Sequence, residues 1–306
     1  MATTSTLHAG LLAPVVARAR AFLRIPLDAF QCFLAADGWA IASYIALAIL
    51  MSFFPFLILV TAIAAAIGSR DLGDEAGRLL LGAWPREVAA PIAGDVRQVQ
   101  SAAQRGAITL SALFAVYFAS NGIESLRIGL NRAYDVFETR SWWLLRLESI
   151  LYVLLSAIAL LVVAVFVVLG PLLVATAVSY VHWLAPLDRL GTVARLAVAA
   201  AILVVTLVLL HMWLPAGRRR IRQILPGVVV TLALWLVGGA AFGLYLAQYA
   251  NRYVTTYAGL ASAMIALVFL YLSAAIFLYG GELNAAILRA RRERAVAEVP
   301  LRSGTR

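Results

Sequence analysis

The residues most able to do chemistry are the few ionisable and amide side chains that interrupt long apolar stretches of this sequence. They are Asn121, Glu124, Arg127, Glu148, Glu282 and Asn284. Charged groups within a membrane are costly and usually mark a solute, ion or proton pathway. Asn121 and Glu124 share a helix face with Asn131, because residues three or four apart lie on one side of a helix. The simpler alternative is that these carboxylates pair with arginines and fasten loops near a membrane surface.

The histidines do not form a metal site in this sequence. His182 and His211 lie at opposite ends of one apolar stretch, and His8 lies in the N-terminal segment. About 20 residues at a rise of about 1.5 Å each place a bilayer thickness between the first two. Zinc needs three or four converging ligands, and no strong hydrolase triad or phosphate-binding loop is present. We therefore predict no metal, no cofactor and no enzyme activity.

The composition of the chain is that of a membrane protein. Of 306 residues, 63% are hydrophobic and 13% charged, against about 45–50% and about 25% in soluble domains. The apolar residues fall in runs of about 20 or more, the length that crosses a hydrocarbon layer of about 30 Å. Continuous runs of this length predict helices rather than strands, because a helix satisfies its own backbone in lipid. The fold is therefore predicted to be an all-α membrane protein.

Six stretches are long enough to cross a bilayer, which predicts a bundle of six transmembrane helices. Their bounds are Trp39–Ile67, Ala107–Leu130, Leu147–Leu169, Val193–Leu214, Ile224–Ala250 and Leu260–Leu288. Gly170 and Pro171 are expected to stop the third span. The division predicted is a tail with an interfacial helix at 1–38, a transmembrane domain at 39–288 and a basic tail at 289–306.

Two further segments predict helices that do not span. Pro26–Asp37 collects its apolar residues on one side, which is typical of a helix lying in the membrane interface. Leu79–Gln104 is amphipathic and contains two prolines, which predicts short helices on the outer side. It belongs to the segment 68–106, which we expect to be periplasmic.

The arginines orient the bundle. They carry all of the basic charge, since the chain contains no Lys and has a net charge of +10. If the six spans alternate in direction, 17 of the 25 arginines fall on one side. Cationic loops stay in the cytoplasm, so both termini are predicted inside a bacterial inner membrane.

The densest arginine cluster predicts contact with lipid. Arg218, Arg219, Arg220 and Arg222 would attract anionic headgroups by about 1 kcal/mol each near the surface. Short clusters beside the membrane lack the exposed aromatic residues that single-stranded nucleic-acid binders interleave with their charges. The expected partners are therefore the bilayer and anionic lipids, and not nucleic acid.

Helix-breaking and small residues predict the shape of two spans. Pro55 removes a backbone donor near the middle of the first span and is expected to kink it, and Pro226 opens the fifth. Gly239 and Gly243 are one helical turn apart, which favours close approach of another helix. These positions are candidates for packing or for movement.

Several short motifs resemble the YihY/BrkB family of bacterial inner-membrane proteins. They are Phe54-Pro55, Asn131-Arg132-Ala133-Tyr134, Leu225-Pro226-Gly227, Tyr257-Ala258-Gly259-Leu260 and Tyr279-Gly280-Gly281-Glu282-Leu283-Asn284. The likeness covers roughly residues 21–288, and Ala258 departs from the more usual glycine. The resemblance implies a fold more than an activity. The family has carried a ribonuclease label, a link to virulence and proposals of transport or lipid handling.

The residues and the resemblance together favour an inner-membrane transporter or flippase-like protein. Its expected substrate is amphipathic or anionic, and lipids are among the candidates. Helix breaks and carboxylates near one face support it. The alternative is a non-transporting scaffold or envelope-integrity factor, and a membrane-associated hydrolase or ribonuclease is less favoured. A wet cavity lined by Asn121, Glu124 and Glu282 would support transport, whereas a dry, filled bundle would support the scaffold.

Overall fold

The computed structural model describes residues 24–68, 70–82, 84–103, 108–180, 187–257 and 260–297, and this part of the chain contains helices and no strand. We number its helices α1 (residues 24–35), α2 (Gly38–Ala66), α3 (Arg70–Gly82), α4 (Arg86–Ala103), α5 (Ile108–Ala133), α6 (Trp142–Tyr180), α7 (Leu187–Trp213), α8 (Ile221–Tyr257) and α9 (Ala261–Ala297). His8, His182, Ala258, Gly259 and the outer parts of both tails lie outside the described residues.

Four helical segments are long and apolar enough to cross a membrane. They are Gly38–Ala66, Trp142–Val165, Ile221–Tyr249 and Ala261–Glu293. The segment Ala200–Trp213 of α7 is also apolar but shorter, and α5 is interrupted by polar residues. The all-helical membrane fold is therefore confirmed at this level.

The predicted stop at Gly170 and Pro171 is wrong, because α6 continues to Tyr180. Proline is tolerated inside membrane helices where neighbouring groups satisfy the freed backbone acceptor. α2 likewise runs unbroken through Pro55, and its kink stays a prediction. A helix, α1, is present where the interfacial helix is expected, and it exposes Leu27 and Phe30 and buries Phe33. Its position in the membrane interface stays a prediction.

The long helices have a basic end and a distal end. At the basic end α2, α6 and α8 begin and α5, α7 and α9 end, and most of the described arginines lie there. At the distal end α2 runs into α3. α2 and α5 are therefore antiparallel where they pair, and so are α8 and α9. Ser52 of α2 donates to the Phe118 carbonyl of α5 at 3.1 Å, and Trp235 of α8 donates to the Ser273 carbonyl of α9 at 3.0 Å.

Glycines bring α8 and α9 into backbone contact near the basic end. A Cβ atom added at Gly227 would overlap the Gly280 carbonyl oxygen, and one added at Gly280 would overlap the Thr231 hydroxyl. The Gly227 amide donates a hydrogen bond of 2.7 Å to the Asn284 side chain, which is fully buried. The crossing therefore requires glycine on both helices.

α3 and α4 form a hairpin that packs against the distal half of the bundle. Gly73 of α3 packs on Thr61 of α2, and Gln100 of α4 donates a bond of 2.7 Å to the Gly73 carbonyl. The predicted amphipathic helices are thus present, but the first begins at Arg70 rather than Leu79. The hairpin packs into the bundle because one face of each helix is apolar.

Candidate functional site

A groove of about 790 Å³ opens at the basic end, between α1, α2, α5 and α9. Its charged lining consists of Asp37, Arg132, Asp135, Glu138, Glu282 and Arg289. Apolar residues, including Ile41, Ile128 and Phe137, complete its walls. Phe137 stands at the rim and is 90% exposed, so an apolar side chain is presented beside charged ones. This mixture suits a molecule with both a polar and an apolar part.

Two aspartates in left-handed backbone conformations shape the groove. Asp135 (φ 51°) ends α5, where the Val136 amide bonds the Asn131 carbonyl at 2.9 Å and the Asp135 amide bonds the Arg132 carbonyl at 3.0 Å. That pattern closes a helix C-terminus. Asp37 (φ 56°) joins α1 to α2. Aspartate is one of the few residues other than glycine that tolerates this conformation, and both carboxylates thereby reach the groove.

Charges of both signs are paired along the walls of the groove. Glu282 of α9, whose side chain is 5% exposed, lies 3.8 Å from Arg289, which follows on the same helix. Arg132 of α5 lies 3.9 Å from Asp37. Arg289 also contacts the Cys32 sulfur at 3.2 Å. Four carboxylates and two guanidiniums therefore face the same space.

Glu138 and Arg140 fasten the segment that follows α5. Arg140 donates to both Glu138 oxygens at 2.8 Å and to Glu148 of α6 at 2.7 Å. Asn131 donates to Glu138 at 3.1 Å and accepts from the Ala216 amide at 2.7 Å. The hydrogen bonds that Arg140 and Asn131 donate lower the pKa of Glu138 from 4.5 to about 2, and the bonds from Arg140 have the larger effect.

We expect this segment to lose stability in acid. Because the folded pKa of Glu138 lies below its unfolded value, its contribution is complete above about pH 4.5 and disappears as pH falls towards 2. At about 1.4 kcal/mol per pKa unit, reduced by partial exposure, the loss is about 2 kcal/mol. The measurement is the difference in unfolding free energy between wild type and Glu138→Gln at pH 5.5 and 2.5. Glu293→Gln, which changes an exposed carboxylate, is the control. If Glu138→Gln lowers the unfolding free energy by the same amount at both pH values, the lowered pKa of Glu138 is contradicted.

Glu124 lies outside the groove and joins α5 to α6. It contacts Arg146 at 2.6 Å and Arg127 at 3.5 Å. Arg146 also donates to Asn121 at 2.9 Å, and Arg127 donates to Ser149 at 3.0 Å. The shared helix face predicted for Asn121 and Glu124 thus turns towards α6 and its arginine.

Asn284 serves the α8–α9 crossing. It accepts the Gly227 amide and donates to the Tyr134 hydroxyl at 3.1 Å. Arg219 stacks over the Tyr134 ring, 3.9 Å from its centroid. Burial raises the pKa of Tyr134 to about 12, so the phenol is neutral at pH 7 and can both donate and accept.

The predicted site residues therefore separate into different clusters. Of them, Glu282 alone lines the groove; Asn121, Glu124 and Arg127 face α6, Glu148 pairs with Arg140, and Asn284 bonds α8. The convergence of Asn121, Glu124 and Glu282 on one vestibule is not found. Sequence reasoning missed Asp37, Asp135 and Arg289, although an aspartate just beyond a helix end is a recognisable signal.

Two other predicted groups have clear positions. Of the four clustered arginines, Arg219 is half-buried, whereas Arg218, Arg220 and Arg222 are exposed where headgroups could reach them. Gly239 and Gly243 permit the expected close approach, and the partner is the start of α4. Among the described residues, no three His, Cys, Asp or Glu side chains are placed to hold a metal ion.

Comparison with known proteins gives two matches and no solved structure. A family model described as virulence factor BrkB matches residues 29–301. A Bacillus subtilis (strain 168) protein that carries the name ribonuclease-like protein YfkH is 24% identical over 265 residues, covering 87% of this chain and 95% of the relative. No solved structure matches the chain.

Proposed function

Because this chain belongs to the BrkB family of membrane proteins, we propose that it moves an amphipathic substrate, a lipid in the first place, across a bacterial inner membrane. The proposal includes six transmembrane spans, α2 and α5 to α9, with both termini in the cytoplasm. The basic end then faces the cytoplasm, in keeping with the rule that cationic loops stay inside. α5 can span despite Glu124 and Arg127, because both side chains are paired within the protein.

The observation that carries the proposal is the groove at the basic end. Its volume of about 790 Å³ lies within the range of about 300–1,000 Å³ that ligand sites occupy. Arg132 and Arg289 offer donors for a phosphate, and Glu282 and Asp135 offer acceptors for an amine. A headgroup that carries both charges fits this lining better than a small anion does, since carboxylates outnumber guanidiniums. Phe137 and Ile128 provide apolar contacts for a chain.

The competing function, a scaffold without transport, is favoured by a different observation. Most predicted pathway residues are occupied by partners within the protein, as Glu124, Glu148 and Asn284 are. A bundle that uses its polar groups to hold helices together needs no substrate. We propose no catalytic step at the groove. An assay of RNA cleavage by the purified protein tests whether it has the activity that the relative's name suggests.

Reconstitution separates transport from the scaffold. We expect liposomes that contain the protein to translocate a labelled zwitterionic phospholipid faster than protein-free liposomes do. In the same protein-containing liposomes, we expect small anionic solutes to enter more slowly than the lipid crosses. Glu282→Gln is expected to slow this movement about tenfold, equivalent to about 1.4 kcal/mol, because it removes a buried charge that positions Arg289. Dithionite quenching of the label measures the rate.

The matched control is Glu293→Gln, which removes an exposed carboxylate of α9 outside the groove and is expected to keep the wild-type rate. A folded protein that moves no lipid or solute would overturn the proposal in favour of the scaffold. Equal rates in both glutamine variants would remove the groove from the pathway.

A further inference from the structure

The α3–α4 hairpin runs from the distal end towards the middle of the bundle. α3 lies antiparallel to the second half of α2, since Gly73 packs on Thr61 and Leu80 packs near Leu57. The connection after α3 places the Trp84 ring 5.3 Å from Phe53 and 5.5 Å from Phe269, measured between centroids. Gly239 of α8 lies beside Pro85.

These contacts fix the depth of the hairpin tip. Phe53 is 13 residues from the end of α2, which is about 20 Å at 1.5 Å per residue. Phe269 is eight residues into α9 and Gly239 is ten residues before the end of the apolar part of α8, which are about 12 and 15 Å. All three helices are apolar candidate spans. The tip therefore lies within the membrane-spanning part of the bundle.

Over residues 86–98, α4 has one apolar and one charged face. The apolar face comprises Val88, Ile92 and Val96, all nearly fully buried against the bundle. The other face is exposed from the tip to residue 98. It includes Arg86, Glu87, Ala90, Gly94, Asp95 and Arg97.

The depth and the exposure together determine what covers this face. A charged side chain facing lipid costs about 2.5–3.5 kcal/mol at the centre of a span, and Arg86 and Glu87 are the deepest residues of α4. Non-helical backbone, such as that of Trp84 and Pro85, is tolerated at membrane depth only inside protein or beside water. A position at the membrane surface would satisfy the charges but would not place Trp84 on Phe53.

We infer that α3 and α4 form a re-entrant hairpin whose charged face lines a water-filled vestibule open at the distal end. Gly243 permits it, because a Cβ atom there would meet the Glu87 carboxylate at 3.0 Å. The vestibule reaches the aromatic cluster of Phe53, Trp84 and Phe269, which separates it from the basic end. Its existence does not depend on transport, and the proposed orientation decides only that it opens to the periplasm.

Thiol accessibility tests the vestibule, and the single native cysteine makes the test clean. In a Cys32→Ala background, Arg86→Cys, Ala90→Cys and Gly94→Cys are exposed to a membrane-impermeant maleimide in right-side-out vesicles. We expect labelling at least about tenfold faster than at Val88→Cys, because a thiolate forms readily only where water reaches it. Val88 lies at the same depth on the buried face.

Two further controls identify what covers the face. Leu236→Cys, 75% exposed on α8 near the depth of Gly239, reports lipid and is expected to react only with a permeant maleimide. Arg218→Cys, exposed at the basic end, is expected to react only in inverted vesicles. Labelling of Gly94→Cys without Arg86→Cys, or of Arg86→Cys only by the permeant reagent, would overturn the vestibule. Labelling of all three only from the side on which Arg218→Cys reacts would overturn the distal opening. Reaction of Arg218→Cys in right-side-out vesicles would overturn the orientation.

Discussion

A Gly227→Ala variant is expected to lose the native fold or most of its stability. The added methyl group would overlap the Gly280 carbonyl oxygen, so the backbones of α8 and α9 must separate. Overpacking of this kind usually costs about 1–3 kcal/mol, and separation also breaks the buried bond from the Gly227 amide to Asn284, worth about 1–3 kcal/mol more. A total of about 2–6 kcal/mol is a large share of the stability of most proteins.

Unfolding in mixed detergent micelles measures this loss, with Gly94→Ala as the matched control. Nothing lies within 4 Å of a Cβ atom at Gly94, which is exposed inside α4. Alanine there should stabilise the helix by about 0.5–1 kcal/mol, because glycine is a poor helix former. Equal behaviour of the two variants would show that the α8–α9 crossing is not as close as described.

The sequence was sufficient to predict the helices, because length and apolarity decide them. The first span, Gly38–Ala66, agrees with the prediction to within one residue at each end, whereas α6 and α8 run beyond both of their predicted ends. The stop at Gly170 and Pro171 is wrong because a helix can continue through a proline where neighbouring groups satisfy the freed backbone acceptor. Length and apolarity therefore predict the elements, while the ends of the helices depend on tertiary context.

The candidate site was harder to predict, because helix-face periodicity does not reveal which helix lies opposite. Asn121 and Glu124 share a face, yet the arginine of α6 occupies it. Asp37 and Asp135 reach the groove through left-handed turns that only the three-dimensional structure reveals. The sequence of the hairpin is amphipathic, and this pattern does not distinguish a helix on the membrane surface from a helix inserted beside water.

The groove and the proposed vestibule lie at opposite ends of one bundle. Between them stand the α8–α9 crossing at Gly227 and the aromatic cluster at Trp84. A substrate moving from one to the other would have to displace one of these barriers, as in alternating access. The crossing is held by backbone contact, whereas the cluster consists of side chains on a short hairpin. Movement of the hairpin is therefore the less costly route.

Glu124→Gln is expected to destabilise the protein by about 3 kcal/mol, because removal of one partner of a buried ion pair leaves the other uncompensated. Arg127 and Arg146, its partners, have side chains only 3% and 10% exposed. A double-mutant cycle with Arg146→Gln should give a coupling energy of about 1–3 kcal/mol. Unfolding free energies in mixed micelles supply all four corners of the cycle.

The pair Glu75 and Arg78, 3.1 Å apart, provides the control, because removal of this glutamate leaves an arginine that water can reach rather than a buried one. Its Arg78 side chain is 73% exposed, so Glu75→Gln should cost less than about 1 kcal/mol. If Glu124 holds α5 to α6, its variant loses folded protein, and the fraction that remains folded translocates lipid at the wild-type rate. A stable Glu124→Gln protein that has lost translocation would instead return Glu124 to the substrate pathway. Stability and rate per folded molecule, measured on one preparation, thus separate the role of a charge that binds helices from that of a charge that binds substrate.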